Sequence, residues 1–434
     1  MTQSTATFYE LGIAPKILER LDKIKYTTPT LIQQKAIPPA LAGEDIVGIA
    51  QTGTGKTIAF GIPILQRLAQ VQGRALVLLP TRELAIQVNE EFFKVGQAMN
   101  MKTAVLIGGE PIRRQIIELQ KNPRIIIATP GRLIDHMQQH HIHIGDVTIL
   151  VLDEADRMLD MGFAPQIKTI MSCVAPVEYR QTMLFSATMP KEIISIATSH
   201  MKMPTHIEVA PPGTTSERVT QELFVVKKEM KNTLLQKVLE QYKGSVLIFS
   251  RTKFGARKIS RALRQLGHRS AEIHSDRSLN ERKEALEGFK RGKYRILVAT
   301  DIASRGIDVT GIELVINYDL PDDADNYVHR IGRTGRAGHQ GHAISFATPD
   351  QKDEVRTIEA LVKVAIPISQ HPQVPVEEFI KSSKPAFQPR RGGGFRGGYR
   401  SSSGGGSGRP GGGGFKPRRP GGFGAGHRSK PKAA

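Results

Sequence analysis

Short apolar runs alternate with amphipathic segments along most of this chain. In its first half the apolar runs are at residues 46–49, 75–79, 104–107, 125–128, 149–152 and 183–185. Near-continuous apolar runs are typical of strands that are covered on both faces, and the segments between them have the length and spacing of helices. The alternation therefore predicts an α/β fold, with a parallel sheet flanked by helices.

The pattern stops near the middle of the chain and then begins again. The break at residues 204–218 includes Pro211-Pro212-Gly213-Thr214-Thr215, which is typical of an exposed linker. Apolar runs resume at 223–226, 246–249, 271–273, 296–299, 314–316 and 343–346. The sequence thus predicts two α/β domains, at residues 1–209 and 219–368, joined by a linker at 210–218.

The end of the chain has a different composition. After about residue 368, Gly, Arg, Pro and Ser dominate, and apolar residues are too few to form a core. The 434-residue chain has a formal net charge of +20, and residues 385–434 supply over half of it, with eleven Lys or Arg and no acid. We expect residues 369–434 to form a disordered basic tail that binds a polyanion.

Cysteine content and hydropathy bound the cellular setting. The single cysteine, Cys173, excludes an intramolecular disulfide and a Cys-based zinc cluster, and we expect it to be a small buried hydrophobe. Residues 1–10 lack the basic start and apolar core of a secretory signal, and no apolar run is as long as a bilayer span. These features predict a soluble cytoplasmic protein without a membrane partner.

One strand-to-helix junction is rich in glycine. It reads Ala50-Gln51-Thr52-Gly53-Thr54-Gly55-Lys56-Thr57 and connects the first apolar run to a helical segment. Such a turn directs backbone N–H groups and a helix N-terminus at one point, which suits a polyphosphate. In this pattern Lys56 reaches the terminal phosphates and the Thr57 hydroxyl binds Mg²⁺. Ala50 stands where the usual pattern has its first glycine, and a flexible turn without a ligand is the alternative.

Two adjacent carboxylates follow the apolar run at 149–152. In Asp153-Glu154-Ala155-Asp156 they stand at the carboxyl end of a predicted strand, where open parallel sheets bind their ligands. Asp153 can hold the water shell of a metal ion, while Glu154 orients or deprotonates an attacking water. An isolated string of this kind would more often be a solvated acidic turn. Its place downstream of the phosphate-binding turn favours nucleotide hydrolysis.

Across about residues 8–365 the chain resembles the DEAD-box family of ATP-dependent RNA helicases, with its motifs in the family's order. The resemblance implies two RecA-like domains in tandem, ATP and Mg²⁺ as cofactors, and RNA as the partner. The compact core followed by a basic Gly/Arg tail looks most like the bacterial RhlE-type members. That subtype implies partner proteins of ribosome assembly or RNA degradation.

The segment Tyr26-Thr27-Thr28-Pro29-Thr30-Leu31-Ile32-Gln33 is similar to the family's adenine-reading motif. The Gln33 amide can donate and accept, which matches the N6 and N7 edge of adenine, and Phe8 stands at the position of the aromatic that stacks on the ring. Lys25 replaces a glycine of the family. The other nucleotide contacts implied by the resemblance are Gly53, Thr54, Gly55, Lys56, Thr57 and, on the ribose, Asp308.

Three further motifs each end an apolar run and begin a helix: Pro80-Thr81-Arg82-Glu83-Leu84, Gly108-Gly109 and Thr129-Pro130-Gly131-Arg132. By resemblance they bind the RNA backbone, for which helix-start N–H groups and arginine side chains are suitable donors. Taken singly, each motif would more often be a helix cap. Thr300, in Ala299-Thr300-Asp301, matches the family's fifth motif and is assigned to RNA as well.

The segment His329-Arg330-Ile331-Gly332-Arg333-Thr334-Gly335-Arg336 matches the family's sixth motif. The resemblance makes Arg333 and Arg336 arginine fingers on the γ-phosphate, worth on the order of 10³ to 10⁵ in rate. Without the other motifs, these arginines would be taken as a solvated helix face. The residues that the resemblance assigns to coupling of the ATP and RNA sites are Asp156, Ser186, Thr188, His329 and Arg330.

Neither predicted domain holds a complete site, because the first lacks arginine fingers and the second lacks a phosphate-binding turn. ATP and RNA are therefore expected to close the two domains together, each ligand tightening the other. The sequence predicts an RNA-stimulated ATPase that separates short duplexes locally. An ATP-gated RNA clamp and a DNA helicase or translocase are the alternatives, although the acidic string and the Gln33 motif argue against DNA. Leu279 stands where the family has a glutamine, so the sequence does not say what replaces the polar contact of that glutamine.

Overall fold

The computed structural model describes residues 6–50, 53–209, 219–301, 309, 311–335 and 340–380. Several predictions fall on other positions and lie outside the described residues: the linker at 210–218, Asp308, Arg336 and the basic tail from residue 381 onward. Among the helices that the structure describes, none has both the length and the apolar character needed to cross a membrane.

The first domain is built on a seven-stranded sheet. Its strands are β1 (Ile46–Ile49), β2 (Arg74–Leu78), β3 (Thr103–Leu106), β4 (Ile125–Ala128), β5 (Val147–Asp153), β6 (Gln181–Ser186) and β7 (Thr205–Glu208). All neighbours are parallel, in the order β3-β4-β2-β5-β6-β1-β7. The sequence prediction omitted β7, because this edge strand is mostly exposed and lacks an apolar run. The break predicted at residues 204–218 therefore contains β7, and the described part of the first domain continues to residue 209.

Helices cover both faces of this sheet, which explains the continuous apolar runs. Helices α1 (Pro15–Lys23), α2 (Leu31–Ala42), α3 (Lys56–Leu68) and α4 (Arg82–Gly96) pack on one face. Helices α5 (Ile112–Gln120), α6 (Pro130–Gln138), α7 (Ala155–Asp160), α8 (Ala164–Cys173) and α9 (Lys191–His200) pack on the other. Successive residues of a strand belong to opposite faces, so central strands such as β5 and β6 contribute to both layers of core.

The second domain repeats this architecture with six parallel strands. They are β8 (Val219–Val225), β9 (Val246–Phe249), β10 (Ser270–Ile273), β11 (Ile296–Ala299), β12 (Leu314–Asn317) and β13 (Gly341–Ala347), in the order β10-β11-β9-β12-β13-β8. Helices α10 (Lys231–Gln241) and α11 (Lys253–Gln265) cover one face. Helices α12 (Leu279–Lys290), α13 (Ala324–Ile331) and α14 (Lys352–Val362) cover the other. The prediction of two parallel α/β domains is confirmed.

The packed chain continues past residue 368, where the second domain was predicted to end. The N–H of Leu223 donates to the Pro367 carbonyl and the Ser369 N–H donates to the Leu223 carbonyl, so this segment extends the edge of β8. Further along, Val374 is buried in the core, and the Ile380 N–H donates to the Pro349 carbonyl. Composition changes before packing ends, because a few apolar side chains suffice to hold an extended segment against a sheet edge.

Two local features differ from what the sequence alone indicates. Cys173 is exposed at the C-terminal end of α8, so the prediction that it is buried is wrong. Its neighbours Met171 and Val174 occupy the core positions instead. Lys25, which replaces a family glycine, has φ = 62° just after α1, where the Lys25 and Tyr26 N–H groups close the helix on Asp22 and Leu21. Glycine is the usual residue at such a helix end because it enters the left-handed region freely.

Lys25→Gly should therefore raise the free energy of unfolding of the first domain by up to about 1 kcal/mol, since it relieves left-handed strain at some cost in chain entropy. Lys23→Gly, in the last turn of α1, is the matched control and should lower the same quantity by about 0.5–1 kcal/mol. Urea unfolding of the two variants beside the parent chain measures both changes. Equal destabilisation by both substitutions would contradict the assignment of strain to Lys25.

Candidate active site

The glycine-rich turn joins the carboxyl end of β1 to the start of α3. Gly53 and Gly55 have φ of 85° and 93°, which explains why glycine is needed there. Ala50 is not among the residues of positive φ, so alanine fits the position where the usual pattern has glycine. The Lys56 ammonium is buried, donates to the Ala50 carbonyl at 3.0 Å and lies 3.9 Å from Asp153 Oδ1. The turn and the acidic string therefore meet at this lysine.

Gln33 connects the adenine-reading motif to this turn. Its Oε1 accepts from the Thr30 N–H at 2.9 Å and caps α2, while its Nε2 donates to the Gly55 carbonyl at 3.0 Å. A Cβ at Gly55 would lie 2.3 Å from Gln33 Nε2, so only glycine fits there. A primary amide has two N–H donors and two lone pairs, and Gln33 thus keeps one of each for a base edge.

Phe8 lies in the core of the first domain. It begins a short 3₁₀ turn at Phe8–Leu11, and only 4% of its surface is exposed. Its ring packs with Ile13 and other residues of the face covered by α1 to α4. Stacking on a base requires an exposed ring face, so the stacking role of Phe8 stays a prediction.

The acidic string lies at the carboxyl end of β5, beside Lys56. Asp153, Glu154 and Asp156 are all buried, and Glu154 has φ = 53°, a left-handed conformation that costs a side-chain-bearing residue on the order of 1–3 kcal/mol. Such strain persists where the surrounding structure imposes it, and it is concentrated at functional sites. The Glu154 carboxylate accepts from Arg157 Nη1 at 2.7 Å, in an ion pair buried on both sides.

The two adjacent carboxyl groups have different electrostatic surroundings. Burial raises the pKa of Asp153 to about 6, although the nearby Lys56 charge opposes this. Burial also disfavours the charged form of Glu154, but the positive charges of Arg157, Lys56 and Arg333 outweigh it, so the pKa of Glu154 is lowered. Glu154 is thus held as a carboxylate, whereas a further positive charge beside Asp153 would stabilise its ionised form.

Asp156 ties the acidic string to the end of β6. Its Oδ2 accepts from the Ala187 and Thr188 N–H groups at 3.0 and 2.9 Å and from Thr188 Oγ1 at 3.2 Å. The Asp156 N–H donates in turn to Ser186 Oγ at 3.3 Å. These hydrogen bonds connect Ser186-Ala187-Thr188 to the acidic string, and the coupling role of these residues stays a prediction.

Side chains of the second domain also lie near Glu154. Arg333 is buried, follows α13, and its charge acts on Glu154 of the first domain. His329 of α13 is partly buried, and desolvation, reinforced by the Arg157 charge, lowers its pKa well below the ordinary value. The His329 ring is therefore neutral at physiological pH. The structure thus joins residues of both domains around Glu154, as the split-site interpretation requires.

Arg330, by contrast, is engaged within the second domain. Its guanidinium pairs with Asp301 at 2.5 and 2.7 Å and also donates to Asn317 Oδ1 and the Asp319 carbonyl. The group also lies over the Phe249 ring, 5.1 Å from its centroid. These contacts hold the end of α13, which carries His329 and is followed by Arg333, against the sheet, and the coupling role of Arg330 stays a prediction.

The proposed RNA surface of the first domain lies at the carboxyl edge of the neighbouring strands β2, β3 and β4, where Arg82 and Gly109 are at least partly exposed and Pro80, Thr81, Thr129 and Pro130 are buried. Thr81 caps α4 by accepting from the Leu84 N–H, and Arg82 lies over the glycine pair, where a Cβ at Gly109 would be 2.3 Å from Arg82 Nη1. Arg132 Nη1 donates to the Glu110 carbonyl at 3.0 Å. Thr129 and Pro130 begin α6, and a Cβ at Gly131 would meet nothing within 4 Å. Pro80 precedes this group, and Thr300 follows β11 in the other domain.

Helix α12 of the second domain contacts the first domain beside this surface, and we call these contacts the seam. The sequence did not predict the seam. Arg282 of α12 pairs with Glu83 of α4 at 2.8 Å, with both side chains buried, and Lys283 lies 3.7 Å from Glu110. Leu279, the first residue of α12, is 4% exposed and belongs to the core cluster of the first domain. The family departure at Leu279 thus replaces a polar side chain by an apolar contact across the domains.

Arg157 is a second residue that sequence reasoning missed. It directly follows the acidic string and is one of the largest fully buried side chains. The signal was a cation one turn along the helix from Glu154, at the spacing that brings side chains together. An arginine next to an acidic string is usually exposed to solvent. Only the packing shows that Arg157 is buried against Glu154.

Comparisons with known proteins agree with this geometry. The family model for DEAD/DEAH box helicase matches residues 30–196, and that for helicase conserved C-terminal domain matches residues 230–338. DEAD-box ATP-dependent RNA helicase CshA of Bacillus subtilis is 42% identical over 362 residues, which cover 83% of this chain and 73% of that protein. ATP-dependent rRNA helicase RRP3 of Eremothecium gossypii is 42% identical over 366 residues, 83% of this chain and 75% of that protein.

Solved structures show the same two-domain arrangement. S. cerevisiae Dbp5 bound to RNA and ADP BeF3 superposes with a TM-score of 0.76 at 30% identity, covering 84% of this chain and 95% of that one. Mss116p bound to single-stranded RNA and AMP-PNP gives a TM-score of 0.79 at 28% identity, covering 86% of this chain and 81% of that one. The motifs, the fold and these similarities agree, and the chain belongs to the DEAD-box family of ATP-dependent RNA helicases.

Proposed function

We propose that this protein is an RNA-stimulated ATPase that uses closure of its two domains to separate short RNA duplexes locally. The observation that supports this best is the composition of the site around Glu154. Its negative charges and Lys56 come from the first domain, and Arg333 comes from the second. Catalysis of phosphoryl transfer depends on positioning and charge stabilisation, so a site divided in this way is active only when the domains are together.

ATP binds with its phosphates in the turn at residues 53–57 and its base near Gln33. Among the described residues, no group of three or more His, Cys, Asp or Glu side chains could hold a metal ion alone. The Thr57 hydroxyl and Asp153, the latter largely through water, would hold Mg²⁺ beside the phosphates, where the ion would offset the negative charge of the phosphoryl oxygens. The raised pKa of the buried Asp153 fits this, because a cation there stabilises the carboxylate.

Glu154 orients the attacking water, and its lowered pKa makes it a hydrogen-bond acceptor rather than a strong base. Arg157 holds the carboxylate through its 2.7 Å contact. Lys56 and Arg333 stabilise the charge that develops on the γ-phosphoryl group, which is where arginine fingers contribute most. A finger role for Arg336, and a ribose contact for Asp308, remain predictions outside the described residues.

RNA binding favours the same closed arrangement. Arg82 and the Gly108-Gly109 pair belong to the RNA surface, and their chain neighbours Glu83 and Glu110 belong to the seam with α12. A strand that orders this surface therefore also orders the contacts that hold the domains together. Linkage then requires RNA and ATP to tighten each other's binding. Contacts to the backbone give little sequence preference in the core.

The cellular role is a separate matter. Membership of the RhlE-type subtype, and action in ribosome assembly or RNA degradation, stay predictions from the composition of the tail. Sequencing RNA that is crosslinked to the intact protein would identify the target. Enrichment of ribosomal RNA precursors or of messenger RNA would distinguish the two roles.

Glu154→Gln should retain ATP and RNA binding but lose turnover by a factor on the order of 10² to 10³ or more, since only the water-orienting carboxylate is removed. The variant should therefore remain closed on RNA, with slow RNA release in ATP. Lys56→Ala is the contrasting variant and should weaken ATP binding itself. Turnover, nucleotide affinity and RNA release measured side by side separate the two effects, and near-normal turnover in Glu154→Gln would remove its assigned role.

Leu279→Ala should weaken domain closure, because it removes an apolar contact worth about 1.5–3 kcal/mol when fully buried. We expect at least a tenfold higher RNA concentration for half-maximal ATPase activity, with little change in turnover at saturating RNA. Leu266→Ala is the matched control, because Leu266 is a leucine of the same domain that is 53% exposed. If both variants behave like the parent chain, Leu279 is not part of the closure seam.

A further inference from the structure

Helix α11 of the second domain has a solvent face that is basic along its length. The helix contains Lys253, Arg257, Lys258, Arg261 and Arg264 and no acidic residue. Arg257, Lys258 and Arg261 are exposed, while Ala256, Ile259, Ser260 and Leu263 face the core. The exposed side chains recur at three- and four-residue spacing from Phe254, so they lie on one stripe of the helix.

Three of these cations are outside the ion pairs of the described residues, although the charge of Arg257 also acts on Asp276, the partner of Lys253. No ion pair within 4.0 Å is formed there by Arg257, Lys258 or Arg261. The two other cations of α11 are paired, Lys253 with Asp276 at 2.8 Å and Arg264 with Glu272 at 3.5 Å. The outer stripe of α11 thus carries three exposed cations, outside the ion pairs of the described residues, on one face of a single helix.

An aromatic side chain stands at the start of this stripe. Phe254 is 68% exposed, and its ring lies 5.4 Å from the Lys253 ammonium. A large apolar ring held in water next to unpaired cations is the combination that single-stranded nucleic acid uses, since bases stack on rings while phosphates pair with cations. From Phe254 to Arg261 the helix rises about 10 Å, which is long enough for more than one phosphate.

The position of α11 relates this stripe to the cleft. The helix begins directly after β9, at the carboxyl edge of the second sheet, where Thr300 and Asp301 also lie after β11. From there it runs toward the opposite edge of the sheet. A strand that leaves the cleft over the start of α11 therefore meets Phe254 first and the three cations after it.

A groove beside α11 is a less suitable place for an anion. Its volume is about 930 Å³, and Lys258 of α11 lies on its rim. Its lining mixes cations with the carboxylates of Glu229, Asp319, Asp350 and Glu354. On the α11 stripe, by contrast, the helix itself supplies cations and no acid.

We propose that this α11 face, defined by Phe254, Arg257, Lys258 and Arg261, binds single-stranded RNA that extends beyond the cleft. The three cations contact consecutive phosphates, and Phe254 stacks on a base. An acidic protein segment could pair with the cations, but it would leave the exposed ring unexplained. The inference rests on the proposed function, because it places the RNA of that function on a second surface.

The test compares a short oligouridylate of about 6 nucleotides, which fills only the cleft, with one several times longer. Affinity is measured for the full chain with a non-hydrolysable ATP analogue over a range of salt. The charge variant carries Arg257→Gln, Lys258→Gln and Arg261→Gln, and the ring variant carries Phe254→Ala. The matched control removes three cations at the far end of α12, with Lys290→Gln, Arg291→Gln and Lys293→Gln.

We expect the charge variant to bind the longer RNA at least tenfold more weakly at low salt, and to flatten the slope of log affinity against log salt by about 2 units, as expected for three lost phosphate contacts. The ring variant should lose roughly fivefold or more, corresponding to one base stack. Binding of the short RNA, and the control variant with either RNA, should match the parent chain.

Unchanged affinity of the charge variant for the longer RNA would overturn the proposal and leave an acidic protein as the partner of this face. Equal losses in the charge variant and the control would also overturn it, because they would reflect total charge alone. If the ring variant bound the longer RNA as tightly as the parent chain, Phe254 would not be part of the RNA-binding face. A parent chain that binds neither RNA would instead contradict the proposed function, so the two failures are distinguishable.

Discussion

The structure depends on a cluster of buried charges at the carboxyl edge of the first sheet. Asp153 and Glu154 are buried, and a buried carboxylate is costly unless cations surround it. Lys56 and Arg157 of the first domain and Arg333 of the second supply those cations. Such a cluster contributes little to stability compared with apolar packing, so its retention points to chemistry. It requires both domains, and it places the phosphate-binding turn, the acids and the arginine in one small volume.

The seam between the domains complements this cluster. The Arg282–Glu83 pair and Leu279 join α12 to the start of α4 and the glycine pair, which also belong to the proposed RNA surface. Asp156 connects the acidic string to Ser186-Ala187-Thr188 on the other side. Nucleotide site, RNA surface and closure seam therefore share neighbouring residues of the chain. That sharing is a physical basis for linkage between ATP and RNA that needs no long pathway.

Sequence patterns predicted the parts of this protein that depend on local chemistry. Strands covered on both faces, such as β4 and β9, read as apolar runs, and the glycines at 53 and 55 marked a turn that needs positive φ. Weakly patterned parts were missed or misplaced. The exposed edge strand β7 lacks an apolar run, the packed segment at 369–380 lies after the composition change, and Cys173 falls on the solvent side of α8.

By itself, the sequence determined the two-domain α/β architecture and the identity of the motif residues, because periodicity and glycine or proline placement act within a few residues of the chain. Only the tertiary structure decided how those residues are used. It placed Arg157 on Glu154, turned Arg330 inward onto Asp301, and buried Leu279 against the other domain. Burial and charge pairing between distant segments depend on packing in three dimensions, and no local pattern of residues encodes which surface a side chain will meet.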